Sequence, residues 1–271
     1  MRYRKIGYSI LSGIGIEIGA LHNPAKLPKK VKVIYCDAVT TEYAAKLFPE
    51  LKVEEFVQVD HIVDLDKTGL SNFKDEEFDF VVINHVIEHV ANPINVIREL
   101  FRVIKSGGFV VLSAPDKNYT FDKKRNITSF EHLRREFDEN VNSVSDEHFI
   151  DFLKGVHPEV FNEEGRFSDA LASVRDRREH AHVWDTEAFG EFMQKSITLL
   201  NIKADLIYLS KGDDNKFEYF SVWRKSQLGS CSVKLLSLLN AKSFFYIAYD
   251  KLLFWINKAY RLLRRLYKSL T

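Results

Sequence analysis

A glycine turn at the end of an apolar, β-branched run constrains this chain more than any other feature. The run is Gly13-Ile14-Gly15-Ile16-Glu17-Ile18-Gly19-Ala20-Leu21-His22-Asn23-Pro24. Eighteen positions after Gly19, a second apolar run over residues 31–36 ends in Asp37. A strand, a glycine turn and an acid closing the next strand form the front half of a nucleoside-cofactor site. Glycine lacks a Cβ and lets backbone approach the ligand. The acid offers two oxygens to two ribose hydroxyls. A full G-x-G-x-x-G is absent, and Gly13 and Gly15 precede Glu17 instead of following it. A dinucleotide needs the later glycines for its pyrophosphate, so the spacing disfavours a nicotinamide enzyme.

Apolar patterning extends this opening into an α/β chain. Strands are expected at residues 15–18, 31–36, 55–59, 78–83 and 109–113. Thr40 can cap a helix over 42–47 that stops before Pro49. Residues 93–104 read as a helix with Ile94, Ile97, Leu100, Phe101 and Ile104 on one face. Such alternation gives a parallel sheet with right-handed helical crossovers. Residues 116–180 break the rhythm: they are charged, helix-prone and poor in strands. They read as an insertion over the carboxyl ends of the strands, where α/β folds bind ligands. Asp185 can cap a helix over 186–195, and residues 204–209 and 217–223 read as an antiparallel pair around Asp213-Asp214-Asn215. The expected organisation is one domain over 1–225, with the insertion at about 116–180, and a tail over 226–271.

Charge separates domain from tail. The whole chain of 271 residues carries a net +1. From residue 234 onward, Lys234, Lys242, Lys251, Lys258, Arg261, Arg264, Arg265 and Lys268 face only Asp250, a net +7 that leaves −6 for the rest. The domain therefore has no basic signature for nucleic acid. At 100° per residue the basic side chains from 250 onward fall on one side, with Trp255, Tyr260 and Tyr267 among the apolar residues opposite. Such a helix suits an anionic membrane surface, so residues 230–271 are expected to bind one, with docking on protein as the alternative. Two cysteines, Cys36 and Cys231, make no disulfide framework and fit a reducing cytoplasm. Residues 1–6 lack the apolar core of a signal peptide, and no run of 18 apolar residues predicts a spanning helix. The sequence does not fix whether the chain forms a homo-oligomer.

Glu17-x-Gly19 resembles the first motif of class I S-adenosylmethionine-dependent methyltransferases. Its extension to Pro24 is similar to a branch met among surface-polysaccharide enzymes. The segment Phe78-Asp79-Phe80-Val81-Val82-Ile83-Asn84-His85-Val86-Ile87-Glu88-His89-Val90 resembles that family's strand-four motif. Gly107-Gly108 and Ala114-Pro115-Asp116 resemble its surroundings of strand five. The resemblance implies a Rossmann-like sheet, mostly parallel with the last strand reversed, and S-adenosyl-L-methionine as cofactor. It implies cofactor contacts from Glu17, Gly19, Ala20 and Asp37, and from Asn84 and His85 beside the methionine part. Asp64 with Leu65, rather than Asp60, is the match for the acid near adenine.

Segments 116–122, 128–133 and 180–184 resemble the same branch and supply acceptor-site candidates. A sugar hydroxyl is a weak nucleophile until its proton leaves, and histidine suits that task. His182 or His180 is the expected general base, with Asp116 as rival; histidines spaced by one share a side of an extended segment. The expected activity is O-methylation of a sugar or lipid-linked glycan at the membrane face. Another small or lipidic acceptor, or an inactive adaptor keeping the fold, are the alternatives. His85-Val86-Ile87-Glu88-His89 also fits a zinc-peptidase pattern, but His85 stands at a strand end and a regular helix through both histidines is not expected. Glu88 and His89 are expected to start the following helix. No spacing demands a metal, although Asp116, Asp122, Glu131 and the histidines could supply ligands. His22, His61, His148 and His157 read as packing or surface residues.

Overall fold

The structure, a computed structural model, describes residues 1–162 and 165–226. The described residues form seven strands, of which the continuous apolar runs at 78–84 and 109–115 are mostly buried, as in a sheet covered on both faces. The strands are β1 (Ile14–Ile18), β2 (Lys32–Asp37), β3 (His61–Ile62), β4 (Phe78–Asn84), β5 (Ile104–Pro115), β6 (Ala204–Ser210) and β7 (Glu218–Lys225). They form one sheet in the order β3-β2-β1-β4-β5-β7-β6. The first five pair in parallel, and β7 runs antiparallel to both β5 and β6. This is the expected Rossmann-like sheet with a reversed last strand.

Alternation along β4 divides the core. Val81 and Ile83 join Ile16, Ile18, Leu100 and Phe101 on one face. Phe80 and Val82 join Tyr8, Leu11, Val111 and Phe220 on the other. The helices longer than four residues are α1 (Arg2–Tyr8), α2 (Thr41–Leu47), α3 (Pro93–Val103), α4 (Phe130–Asp138), α5 (Asp146–Val156), α6 (Arg166–Asp176) and α7 (Thr186–Leu199) among the described residues. Thr40, Asn92 and Asp185 accept from the first-turn amides of α2, α3 and α7, so the caps at Thr40 and Asp185 read from sequence are in place. The insertion contributes α4, α5 and α6 and has a small core of its own around Phe149, Phe152, Leu153, Val160 and Val174.

Three expectations need correction. The third strand is not at 55–59. The Thr41 hydroxyl donates to the Val57 carbonyl and accepts from the Val59 amide, which ties that segment to the start of α2. Pairing with β2 begins only where the Asp60 amide donates to the Tyr35 carbonyl. Second, Glu88 and His89 do not start α3; they form a separate 3-10 turn, Ile87–His89, after His85 turns with φ +54°. No regular helix runs through His85 and His89, as the strand-end argument anticipated.

The third correction concerns Asp116, the rival base. It is 2% exposed, and both of its carboxylate oxygens are already used. One accepts from the Thr186 amide at 3.0 Å and hydroxyl at 2.7 Å; the other accepts from the Asn118 amide at 2.9 Å. The Thr186 hydroxyl in turn accepts from the Gly212 amide at 2.9 Å. A Cβ at Gly212 would lie 2.2 Å from the Asp116 carboxylate, so this knot requires glycine there. Asp116 therefore joins the end of β5 to the start of α7 and cannot take a proton from an acceptor.

Among the described residues no helix is long and apolar enough to cross a membrane. The tail expectation, including Cys231 and the basic face, falls outside the described residues. Asp116→Ala should lower the unfolding free energy by about 3 kcal/mol, because it strands the two buried donors of Thr186 and the part-buried Asn118 amide. Urea titration measures this, and an unchanged midpoint would refute the knot.

Candidate active site

The sheet order reverses direction at β1: β2 lies on one side and β4 on the other. Crossovers that leave in opposite directions open a crevice at the carboxyl ends of these strands. Gly19 closes β1 with φ +71°, and its amide donates to the Cys36 carbonyl at 2.9 Å. Asp37, the next residue after Cys36, thus stands beside the glycine turn. A Cβ on Gly19 would lie 2.4 Å from a Val86 methyl, so the turn needs glycine both for its φ and for the close approach of the β4–α3 loop.

Glu17 points into buried space. One carboxylate oxygen accepts from the Ala25 amide at 2.8 Å, and the other is buried with no partner. Burial pushes its carboxyl up to about 7. A buried, half-satisfied carboxylate is costly unless a cation or donor meets it. Burial also raises Asp37. Ala20 and Leu65 are buried nearby in sequence, Leu65 as part of the main core. Burial alone would raise Asp64 too, but the Arg178 guanidinium at 2.5 Å outweighs it and holds the carboxyl below its usual range. Arg178 belongs to the end of the insertion. Its neighbour Arg177 bonds Glu50 at 2.7 Å and lies over the Phe48 ring, so the insertion reaches the β2 side of the crevice.

Asn84 and His85 are held from beneath. The Asn84 amide donates to the Tyr8 hydroxyl at 3.0 Å and its carbonyl accepts from Ser113. His85 donates from Nε2 to Glu218 at 2.7 Å and stacks on Phe217. Arg4 pairs with the same Glu218 at 2.5 Å. Burial alone would raise Glu218, but the hydrogen bonds from His85 and Arg4 outweigh it and hold the carboxyl at about 2.

Beyond the loop lies a cluster that sequence reasoning resolved only in part. Glu88 is 1% exposed, and neither carboxylate oxygen has a hydrogen-bond partner. His85 Nδ1, His89 Nε2 and His180 Nε2 approach it at 3.5, 3.8 and 4.0 Å. His180 Nδ1 donates to Asp122 at 2.7 Å. A carboxylate on Nδ1 fixes the tautomer and leaves the Nε2 lone pair free. Burial alone would lower His180, yet Asp122 and the charge of Glu88 raise it, giving a stronger base than free imidazole.

Asp122 is in turn fixed by the buried Arg125. That guanidinium donates to Asp122 at 2.9 Å, Asp151 at 2.9 Å and the carbonyls of His180 and Ala181 at 3.0 and 3.3 Å. Its stem passes so close to α5 that a Cβ at Gly155 would lie 2.3 Å from its Cγ.

His182 does not share this cluster, although it was expected on the same side as His180. The segment between them is irregular, and His182 turns instead toward His132, His148 and Trp184. Burial pushes it down to about 3, which makes it a poor proton acceptor beside His180. Glu88 and Asp122 carried no catalytic role in the sequence reading. An acid following the strand-four motif was the available signal for Glu88; nothing local marks Asp122 as the partner of His180, 58 residues away.

Residues 12–112 match the family model described as Methyltransferase domain. This matched stretch holds the crevice of β1, β2 and β4. An uncharacterised protein of Methanocaldococcus jannaschii is 35% identical over 82 residues, covering 30% of this chain and 38% of that protein. The match thus spans well under half of that relative's length. A Methanococcus maripaludis structure described as a candidate S-adenosyl-L-methionine-dependent methyltransferase is 14% identical, with coverage of 83% and 85% and a TM-score of 0.42. The CurJ carbon methyltransferase is 12% identical, with coverage of 80% of this chain and 49% of that one and a TM-score of 0.42.

The Glu218 carboxyl gives a pH test. Its folded value near 2 lies below the ordinary 4.5, so its stabilisation is present above about pH 4.5 and is lost as pH falls toward 2. Glu218→Gln should remove on the order of 3 kcal/mol at pH 7 and flatten the acid limb of the stability curve. Chemical denaturation at pH 7, 5 and 3 reads the difference; parallel curves for variant and wild type would contradict the assignment.

Proposed function

We propose that this chain is an S-adenosylmethionine-dependent O-methyltransferase acting on a sugar or lipid-linked glycan. The observation that carries the reading is the crevice itself: the partnerless oxygen of Glu17 on β1, the positive-φ Gly19 after it, Asp37 at the end of β2, and the Glu88–His180–Asp122 cluster in the loop after β4 and the insertion. These residues fit the cofactor. Glu17 would meet its ammonium end, Gly19 would allow close backbone approach, and Asp37 would hold the ribose hydroxyls. When bound, S-adenosylmethionine supplies a methyl group already activated on a sulfonium.

The chain's own task is then alignment and removal of one proton. Alignment contributes roughly 7–11 kcal/mol in favourable cases. His180, oriented by Asp122, takes the proton of the acceptor hydroxyl at Nε2. Proton transfer of this kind contributes about 10²–10⁴ in rate. A cleft of about 300 Å³ in the insertion supports a polyhydroxylated acceptor, because Asn126, Thr128, Ser129, Glu147 and Asp151 line it. The net +7 after residue 234 supports work at an anionic, cytoplasmic membrane face, where lipid-linked glycans are presented.

Titration calorimetry with S-adenosylmethionine tests the cofactor half. Binding is expected, Asp37→Ala should weaken it at least about tenfold, and no binding to the wild-type chain would sink the reading. Once an acceptor is found, His180→Asn should lower kcat by about 10²–10⁴ while cofactor affinity stays within a factor of about two. An unchanged kcat would remove His180 from the chemistry.

A further inference from the structure

Apart from the crevice, the insertion brings together four side chains that the methyl-transfer reading does not use. His132 and Glu136 stand one turn apart on α4, His148 lies in α5, and His182 lies in the segment before α7. His132 Nε2 and His148 Nε2 are 3.0 Å apart. Both reach the same Glu136 oxygen, at 3.0 and 3.2 Å. The second Glu136 oxygen is buried with no hydrogen bond, and His182 Nε2 approaches it at 3.7 Å. His182 itself is 1% exposed, and neither ring nitrogen has a hydrogen-bond partner of normal geometry.

Hydrogen bonding alone leaves this arrangement poorly satisfied. An imidazole buried without partners is costly, because it gives up its hydrogen bonds to water and gets none back. His132 Nε2, His148 Nε2 and one Glu136 oxygen lie 3.0–3.2 Å apart, close to the edge of about 3.3 Å expected of a tetrahedron with metal–ligand bonds of about 2.0–2.1 Å, and His182 brings the fourth ligand atom within 4.8 Å of the others. We propose that His132, His148, His182 and Glu136 form a binding site for a divalent first-row transition metal, zinc by donor type.

Second contacts agree with this. Ser145 Oγ lies 3.0 Å from His148 Nδ1 and can accept its proton, which leaves Nε2 free for the ion. Arg135 is exposed at 3.2 Å from His132 Nδ1 and must turn outward on loading. The 300 Å³ cleft reaches both His132 and His148, so an ion has a path from solvent. Imidazole and carboxylate together favour zinc-like ions over magnesium or calcium, which take oxygen ligands. The ion ties α4, α5 and the segment of His180 together; it is a structural pin two residues from the proposed base.

The test uses the full-length chain, stripped with a chelator and titrated with Co²⁺ and Zn²⁺ alone. One Co²⁺ per chain with a tetrahedral visible spectrum, displaced by Zn²⁺, is expected, together with a higher Tm. His148→Ala and Glu136→Gln should weaken Zn²⁺ binding at least about 100-fold, more than loss of an outer partner does. Circular dichroism of each variant shows whether it is folded. His89→Ala, in the neighbouring cluster around Glu88, should bind the metal as wild type does. No stoichiometric Co²⁺ site in the wild-type chain would overturn the proposal. So would metal loss in His89→Ala with retention in folded His148→Ala, which would move the ion to Glu88, His89 and His180. Cofactor calorimetry on the stripped chain is a separate readout, so failure here and failure of the methyltransferase reading are distinguishable.

Discussion

Everything in the crevice depends on one hydrogen bond made in a backbone conformation that only glycine adopts at little cost. Gly19 leaves β1 at φ +71° while its amide stays bonded to Cys36. That bond keeps β1 and β2 in register to their last residues, so Asp37 arrives beside the turn. The missing Cβ lets Val86, from the loop that follows the next parallel neighbour β4, close over the same point. Three strand ends are thereby fixed against one another without any side chain filling the position of the glycine.

The insertion is fixed by a different kind of contact. Its small apolar core is too limited to place individual side chains precisely on the sheet. Arg125 does so instead, with a guanidinium that satisfies two carboxylates and two carbonyls at once. A planar, always-charged fork suits such a junction better than an ammonium. Because two of its partners are the carbonyls of residues 180 and 181, the position of His180 follows from the position of Arg125. Breaking one partner of a buried pair costs about 3–5 kcal/mol, so the junction is demanding as well as specific.

The sheet was readable from the sequence because covered parallel strands are continuous apolar runs, and those at β1, β2, β4 and β5 lie where the residues indicate. The third strand was misplaced because the Thr41 hydroxyl and the Asp60 amide, not apolar content, decide where pairing begins. The glycine turn and Asp37 were legible from spacing alone. The arrangement of the acceptor-site candidates was not. An acid after a strand reads the same whether it faces a pocket, as expected of Asp116, or knots two elements, as it does. Likewise two histidines spaced by one need not share a site: the Ala181 and His182 amides both donate to the Glu88 carbonyl, and the two rings join different clusters. His148 was set aside as a packing or surface residue, but it meets His132, 16 residues away and in another helix. The spacing of His132 and Glu136 by four was the one local sign of that cluster.

The glycine near the end of α5 follows from the arginine it faces. Glycine in a helix costs about 0.5–1 kcal/mol relative to alanine. At position 155 alanine is barred because the Arg125 stem already occupies the volume of its methyl group. The last turn of α5 is thus intrinsically weak so that a cation can pass beneath it. Fraying of that turn would therefore also loosen the arginine that holds the backbone at His180.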